Sequence, residues 1–411
     1  MNVVYYTRTC FLDSALPLVK ELSKKVELHL LLELSPEGWK SSLFDVLPLK
    51  LPSGIIPAVP AIKNCFPDSL TEYWKDLSSF NLVVHNCPKS IHTATWRVST
   101  KATQFIRRIR PDVVHFDDVS LRFALGLRGL GKIPKVLSIH DPTPHIGEEN
   151  WKTHFARWLF FHKTRQFILH NRVQIETLCN NHDISDGRVD VIPLGVLDIF
   201  RLWINETVQQ VPKTVLFFGR ISEYKGIEIL YRSAPMVAEK VENVQFIVAG
   251  RSVSGYKIPE PPRLPNGGVI ELINEYIPNN ELSVLFQKAA VVVCPYIEAT
   301  QSGVVLTAYA FDKPVIATNT GGLSEYVKHN QTGLLVPTGD HKKLAEAIVR
   351  IITDTQLQAD FRAGIHKLSV EDLNWDRIAK ETVLVYNKAS NPDPASMKIN
   401  LKNECHTWQN S

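Results

Sequence analysis

Short, wholly apolar runs alternate with amphipathic stretches along almost the whole chain, and this alternation constrains the fold more than any other feature. A run such as Val291-Val-Val-Cys294 has no polar face, so it suits a strand buried on both sides, as in a parallel sheet covered by helices. The amphipathic stretches between such runs then serve as crossover connections, and the expected class is α/β. In the first half, strands are predicted at Asn2–Tyr6, Val26–Leu32, Asn81–Val84, Asp112–Phe116, Val136–Ile139 and Val189–Ile192. Helices are predicted among them, for example at Ser14–Lys25 and Thr93–Ile109. A second series of strands follows at Thr214–Phe218, Gln245–Ala249, Ala290–Cys294, Val315–Ala317 and Gly333–Val336.

A chain of 411 residues exceeds the size at which one hydrophobic core stops growing, so two domains are expected. The polar, pattern-poor stretch Leu197–Lys213 separates the two strand series. The reading is therefore a first domain over 1–204 and a second over 205–373. An amphipathic helix at 374–390 follows, expected to pack back toward the first domain. A tail at 391–411 has little apolar periodicity and is expected to fray.

Several classes are excluded. The six cysteines, Cys10, Cys65, Cys87, Cys179, Cys294 and Cys405, are scattered and form no C-x-x-C pair, which reads as reduced cytosolic thiols rather than a disulfide framework or zinc ribbon. A net charge of +4 suits an anionic ligand or membrane surface but falls short of a nucleic-acid-binding signature. The N-terminus reads as a strand rather than a signal peptide. No apolar run approaches the roughly 20 residues of a spanning helix. The expected location is cytoplasmic, with any membrane contact peripheral. Gly126-Leu-Arg-Gly-Leu-Gly131 has the wrong spacing for a dinucleotide fingerprint and reads as a helix C-cap. His140, His145, Glu148 and Glu149 fit no standard metal-ligand spacing, and Pro142 and Pro144 intervene. A Walker A motif and a D-x-D pair are absent, so neither metal nor cofactor is expected.

The strongest local signal is Val215-Leu-Phe-Phe-Gly-Arg220-Ile-Ser-Glu-Tyr-Lys225-Gly226. A buried strand ends at Gly219, where backbone can approach a ligand closely. Arg220 emerges at the carboxyl end and Lys225 opens the following helix, so two cations and a positive helix terminus together form a diphosphate clamp. Taken alone, the pair also fits a solvated loop. The second segment, Cys294-Pro-Tyr-Ile-Glu298-Ala-Thr-Gln-Ser-Gly303-Val-Val-Leu, repeats the plan of strand, polar turn and helix. Thr300, Gln301, Ser302 and Gly303 present backbone N–H groups to an anion, and Glu298 sits where a carboxylate accepts bonds from sugar hydroxyls. Lys313-Pro-Val-Ile-Ala-Thr-Asn-Thr-Gly321-Gly322-Leu-Ser-Glu325 repeats the strand-to-glycine turn a third time.

At these residues the chain resembles glycosyltransferase family 4, the nucleotide-sugar-dependent enzymes of GT-B fold. The resemblance rests on F-G-R-x-x-x-x-K-G at 218–226, Val248-Ala-Gly, Ile277-Pro-Asn-Asn-Glu-Leu, the block from Pro295 through Glu325, and Gly333-Leu-Leu-Val-Pro. It covers the second domain in family order. The first domain matches more loosely, at Pro111-Asp-Val-Val-His115, Val136-Leu-Ser-Ile-His140-Asp141 and Val191-Ile-Pro-Leu-Gly195. The resemblance implies two Rossmann-like domains facing each other across a cleft, and transfer with retention from a nucleotide-sugar, such as a UDP-sugar, to a glycan or glycolipid acceptor. It implies that Arg220 and Lys225 grip the diphosphate and that Gly219, Thr300, Gln301, Ser302, Gly303, Val304 and Glu325 belong to the donor site. Glu298 would hold the donor sugar as a catalytic residue.

Two positions depart from the family pattern. Thr307 stands where a second glutamate usually contacts the ribose, and a hydroxyl there loses a charge-assisted bond of about 1.5–3 kcal/mol. Asp117 stands where many members carry a histidine, and it reads either as an acceptor-side base or as a helix N-cap. His140, after a buried strand, reads either as a second catalytic candidate or as a core histidine. The stretch 151–165 is basic and aromatic, with Trp151, Phe155, Trp158 and Leu159 on one helical face. It fits an anionic membrane interface or a core-facing helix with solvated lysines. The rival functions are a GT-B sugar-nucleotide epimerase, a phosphorylase, and a non-catalytic nucleotide-sugar-binding subunit.

Overall fold

The computed structural model describes residues 1–36, 38, 43, 51–62, 68–142 and 151–391. His145, Glu148, Glu149, Cys65 and the expected tail beyond 391 lie outside them. The chain divides into two units: Met1–Pro193 together with the stretch from Trp375 onward, and Leu194–Asn374.

The first unit is built on eight strands: β1 (Asn2–Arg8), β2 (Glu27–Leu34), β3 (Gly54–Pro57), β4 (Ser79–Val84), β5 (Val113–Asp117), β6 (Lys135–Ile139), β7 (Gln166–Leu169) and β8 (Val189–Val191). Their order in the sheet is β3-β4-β2-β1-β5-β6-β7-β8. All pairings are parallel except that of β3 with β4. Strands β5 and β6 are buried at every residue, their polar members His115, Asp117, Lys135 and Ser138 included. One face of the sheet carries the helices Thr93–Ile109 and Trp151–Lys163 with the 3-10 helix Ala124–Leu130, over a core that includes Val4, Tyr6, Phe116, Leu137, Phe160 and Phe167. The helix Trp375–Ser390 packs on the helix Leu12–Ser23 and against β5, β6 and β7. Its Tyr386 hydroxyl lies 2.7 Å from His115 Nδ1, and Lys25 Nζ reaches Asp376 Oδ1 at 2.5 Å.

The second unit has six parallel strands: β9 (Thr214–Phe218), β10 (Gln245–Ala249), β11 (Val269–Ile273), β12 (Val291–Cys294), β13 (Val315–Thr318) and β14 (Gly333–Val336). They run in the order β11-β10-β9-β12-β13-β14. Its core joins Val215, Phe217, Phe246, Val293 and Ile316 to the helices Ile227–Lys240 and His341–Thr353.

Several expectations are corrected. Strands β3, β7 and β11 have no counterpart in the sequence reading. Each is short, β3 and β11 are edge strands, and β11 alternates exposed with half-buried residues instead of running apolar. The division falls between 193 and 194 rather than 204 and 205. Polar residues after 197 gave no periodicity, yet that stretch is tied to the second unit. Leu197 N–H donates to Leu306 O (3.3 Å), Val211 N–H to Lys288 O (2.9 Å), and Gln287 bonds both backbone groups of Asn205. The glycine-rich 126–131 segment is a 3-10 helix ended by Gly131, whose φ is +55°.

Candidate functional site

In an open parallel sheet, the crevice for a ligand opens where consecutive strands leave a central strand in opposite directions. In the second unit this central strand is β9, flanked by β10 and β12. The turns after β9, β12 and β13 hold the residues singled out above: Gly219–Gly226, Pro295–Ser302 and Asn319–Gly322.

Close backbone approaches weld these turns together. Gly226 has φ +70°, and a Cβ there would lie 2.0 Å from the Pro295 carbonyl oxygen. Gly321 has φ +48°, and its Cβ would lie 1.6 Å from the Ala299 oxygen. Only glycine permits both the left-handed backbone and the contact. Ile297 N–H donates to Tyr224 O at 2.8 Å, and Thr318 Oγ1 donates to Tyr296 O at 2.5 Å. These bonds hold the second turn between the other two.

Lys225 is the end of a 3-10 turn, Glu223–Lys225, and Gly226 precedes the helix Ile227–Lys240; the lysine therefore stands just before that helix rather than within it. Its ammonium sits 3.7 Å from the ring centre of the fully buried Tyr296. The negative face of the ring favours the cation and fixes its position. Burial pushes the Tyr296 phenol well above its ordinary pKa, so it stays neutral, and its hydroxyl lies 3.2 Å from Ser302 Oγ. Tyr296 was present in the motif, but its role as a platform depends on the neighbouring turn and was not read from sequence. Arg220 and Glu298 are exposed at this edge. Ser302 precedes the helix Gly303–Ala310 in extended conformation, with no side-chain cap. The Gly303 and Val304 amides thus face outward at the positive helix end, and Val304 Cγ2 would be 3.3 Å from a Cβ at Gly219. Thr300 and Gln301 lie in the same turn.

Thr307 is buried inside that helix, where its hydroxyl donates to Gly303 O at 2.9 Å. A ribose hydroxyl would therefore have to donate to Thr307 rather than accept from it. Glu325 belongs to the four-residue helix Leu323–Tyr326 after the third turn.

In the first unit the central strand is β1, between β2 and β5. Asp117 ends β5 and His140 follows β6. Asp117 Oδ1 meets His140 Nε2 at 2.9 Å, and Asp117 Oδ2 accepts from Thr7 Oγ1 at 2.8 Å. Both oxygens are thus engaged and the residue is buried, so Asp117 is not an exposed base. The capping role falls to Ser120, which accepts from Phe123 N at 3.0 Å.

Burial opposes charge on His140, but the hydrogen bond and charge of Asp117 outweigh it and raise the ring's pKa. For Asp117 burial is likewise outweighed, by His140 and Thr7, and its pKa is lowered. His115 and His170, similarly buried, are pulled down to about 4 and about 3 by burial. Phe11 stacks on the His140 ring at 4.0 Å, and the Arg8 guanidinium lies 4.9 Å over Phe11. Asp118, paired with Arg8 at 3.7 Å, holds φ +69°, a conformation that costs a non-glycine residue about 1 kcal/mol or more. Thr7, Arg8 and Phe11 escaped sequence reasoning because nothing local marks them. Among the described residues, no group of three or more His, Cys, Asp or Glu side chains is placed to hold a metal ion.

Known proteins match at these places. The family model "Glycosyl transferases group 1" matches residues 212–354, and "Glycosyltransferase Family 4" matches residues 67–197. An uncharacterized glycosyltransferase of Methanocaldococcus jannaschii is 28% identical over 298 residues, 68% of this chain and 75% of that protein. The phosphatidyl-myo-inositol mannosyltransferase of Mycobacterium leprae is 30% identical over 178 residues, 42% of this chain and 46% of that protein. The crystal structure of HepE from Anabaena in complex with UDP-glucose has a TM-score of 0.64 at 16% identity, covering 94% of this chain and 100% of that one; this is a likeness of fold.

Proposed function

The chain belongs to glycosyltransferase family 4, and from that premise we propose that it moves a sugar from a UDP-sugar to a hydroxyl of a glycan or lipid-linked acceptor, with retention and without a metal ion. The observation that carries the donor reading is the welded trio of turns, with Lys225 seated on Tyr296 beside the open amides of Gly303 and Val304. In the proposed reaction the acceptor oxygen bonds to the anomeric carbon while the bond from that carbon to the phosphate oxygen breaks, and the acceptor's hydroxyl proton passes to the departing phosphate. Lys225, Arg220 and the helix amides stabilise the charge that develops on the departing diphosphate, the task a metal ion performs elsewhere. Glu298 accepts from hydroxyls of the sugar. On the first unit, Asp117 favours the protonated form of His140 and orients its ring for the acceptor side.

HepE was solved with UDP-glucose, and that supports a uridine donor here. A panel of nucleotide sugars, assayed for transfer with and without EDTA, tests the proposal. Transfer from a UDP-sugar that survives EDTA is expected. Transfer only with added magnesium or manganese would overturn the metal-free clamp, and binding without turnover across a broad acceptor set would favour a non-catalytic subunit.

A further inference from the structure

On one face of the first sheet three helical elements are free of acids, while the neighbouring helix Gln174–His182, packed on the same core, carries Glu176. Residues 89–110, 119–135 and 151–165 contain no Asp or Glu. The 3-10 helix Ala124–Leu130 packs against both helices, Thr93–Ile109 and Trp151–Lys163, so the three form one continuous layer over a shared core. The layer presents Arg97, Lys101, Arg107, Arg108, Arg128, Lys152 and Lys163 to solvent. Arg107, Arg108 and Lys163 also complement the dipoles of their own helices. Arg128 likewise stands in the last turn of its short helix, whereas Arg97, Lys101 and Lys152 have no such local reason. The opposite face of the same unit carries acids as well, among them Glu21, Asp376 and Glu381.

Large apolar side chains stand among these cations. Trp96 is 57% exposed, Trp151 67% and Trp158 51%, with Phe155, Ile91 and Leu125 also exposed. The sequence reading put Leu159 on the same stripe; it is instead buried in the core with Ala156, Phe160 and Phe161, and the helix shows its aromatic side outward. Phe155 and Trp158 stack on each other, with centroids 6.2 Å apart. Both helices start at the carboxyl edge of the sheet, since each follows a strand ending there. Trp96, Trp151 and Phe155 therefore lie toward the edge that carries Asp117 and His140.

We propose that this face docks on an anionic phospholipid bilayer, with Trp96, Trp151, Phe155 and Trp158 entering the headgroup–acyl boundary and Arg97, Lys101, Arg128 and Lys152 pairing with lipid phosphates. Exposed indoles suit that boundary because they are apolar with one donor, and the absence of acids from these three elements limits repulsion from the lipid charge. No helix among the described residues is long and apolar enough to cross a membrane, so the contact is in-plane. The proposal gives the lipid-linked branch of the acceptor reading a physical basis, and it is measured without donor or turnover.

The test is flotation of the full chain with phosphatidylcholine vesicles, with or without an equal share of phosphatidylglycerol. Binding to the anionic vesicles is expected, weakening with salt. Arg97→Ala/Lys101→Ala/Lys152→Ala should lower the partition coefficient by about fivefold for each cation removed. Trp151→Ala/Phe155→Ala/Trp158→Ala should lower it at least tenfold or so, and spin-labelled lipid should quench wild-type tryptophan fluorescence more than that variant's. The charge-matched control Lys240→Ala/Lys342→Ala/Lys367→Ala, on the second unit, should bind like wild type. No binding to anionic vesicles, equal loss in the control, or unaltered binding in the aromatic variant would overturn the proposal. Equally tight binding to single-stranded RNA, without quenching by lipid, would do so in favour of a nucleic-acid surface. A failure here leaves the donor site untouched, since that is read by nucleotide binding.

Discussion

Gly226→Ala tests whether contact between turns, rather than the presence of Arg220 and Lys225 alone, makes the donor site. The new Cβ would meet the Pro295 carbonyl oxygen at 2.0 Å, and both partners are backbone, so no rotamer change relieves the clash. A carbon and an oxygen need more than 3 Å or so between them, so the two turns must separate by about 1 Å. That displacement breaks the bond from Ile297 N–H to Tyr224 O, worth about 1 kcal/mol, and lifts Lys225 off the Tyr296 ring. The left-handed backbone at φ +70° adds about 1–2 kcal/mol for any residue with a Cβ. Gly339→Ala isolates this last cost, because Gly339 has φ +79° with nothing within 4 Å of its Cβ position. Denaturant unfolding should therefore show a loss of about 1–2 kcal/mol for Gly339→Ala and at least about 1 kcal/mol more for Gly226→Ala. Calorimetry with UDP should show wild-type affinity for Gly339→Ala and a loss of roughly tenfold or more for Gly226→Ala. Equal stability losses, or UDP affinity unchanged in Gly226→Ala, would refute the role given to the contact.

Arg220→Ala and Lys225→Ala should each weaken UDP binding by about 1.5–3 kcal/mol with little change in unfolding midpoint; unchanged calorimetric affinity would remove that residue from the clamp. Glu298→Gln should leave UDP affinity near wild type while transfer falls tenfold or more, about 1.4 kcal/mol in the transition state, and wild-type transfer would reassign the carboxylate to solvent. Asp117→Asn should drop the His140 pKa below its ordinary value, as at His115 and His170, and NMR titration reads this directly. The pair's stabilising effect follows from both shifts. The raised His140 contributes fully below about pH 6.5 and loses its share as pH rises through its folded pKa, whereas the lowered Asp117 contributes above about pH 3.9 and loses its share as pH falls through its own. The stability gap between wild type and Asp117→Asn, about 3 kcal/mol for a broken buried pair, should thus be widest between those limits; a gap independent of pH would dissolve the pairing argument.

What could be read from sequence was what depends on neighbours along the chain. Strands buried on both faces show themselves as unbroken apolar runs, as in β12 and β13, because every residue of such a strand meets a nonpolar layer. The three turns were legible for a similar reason, since a strand followed by a polar, glycine-bearing turn and a helix start is a local design. Edge strands such as β3 and β11 were not, because an edge need not be apolar on both sides.

Tertiary structure decided everything that depends on which segments come to lie side by side. The sheet order brings Gly226 against Pro295 and Gly321 against Ala299, joining three turns that are separate in the chain. It also sets Thr7 and His140 on the two oxygens of Asp117, so that the candidate base is buried and engaged rather than free at the surface. The helix at 151–163 makes the same point. Its periodicity puts Leu159 with the tryptophans on one wide stripe, but only the packed core determines how much of that stripe is covered. The sheet takes Leu159 and leaves Trp151 and Trp158 in solvent. Burial is a property of the surroundings, and a sequence specifies surroundings only through the fold it adopts.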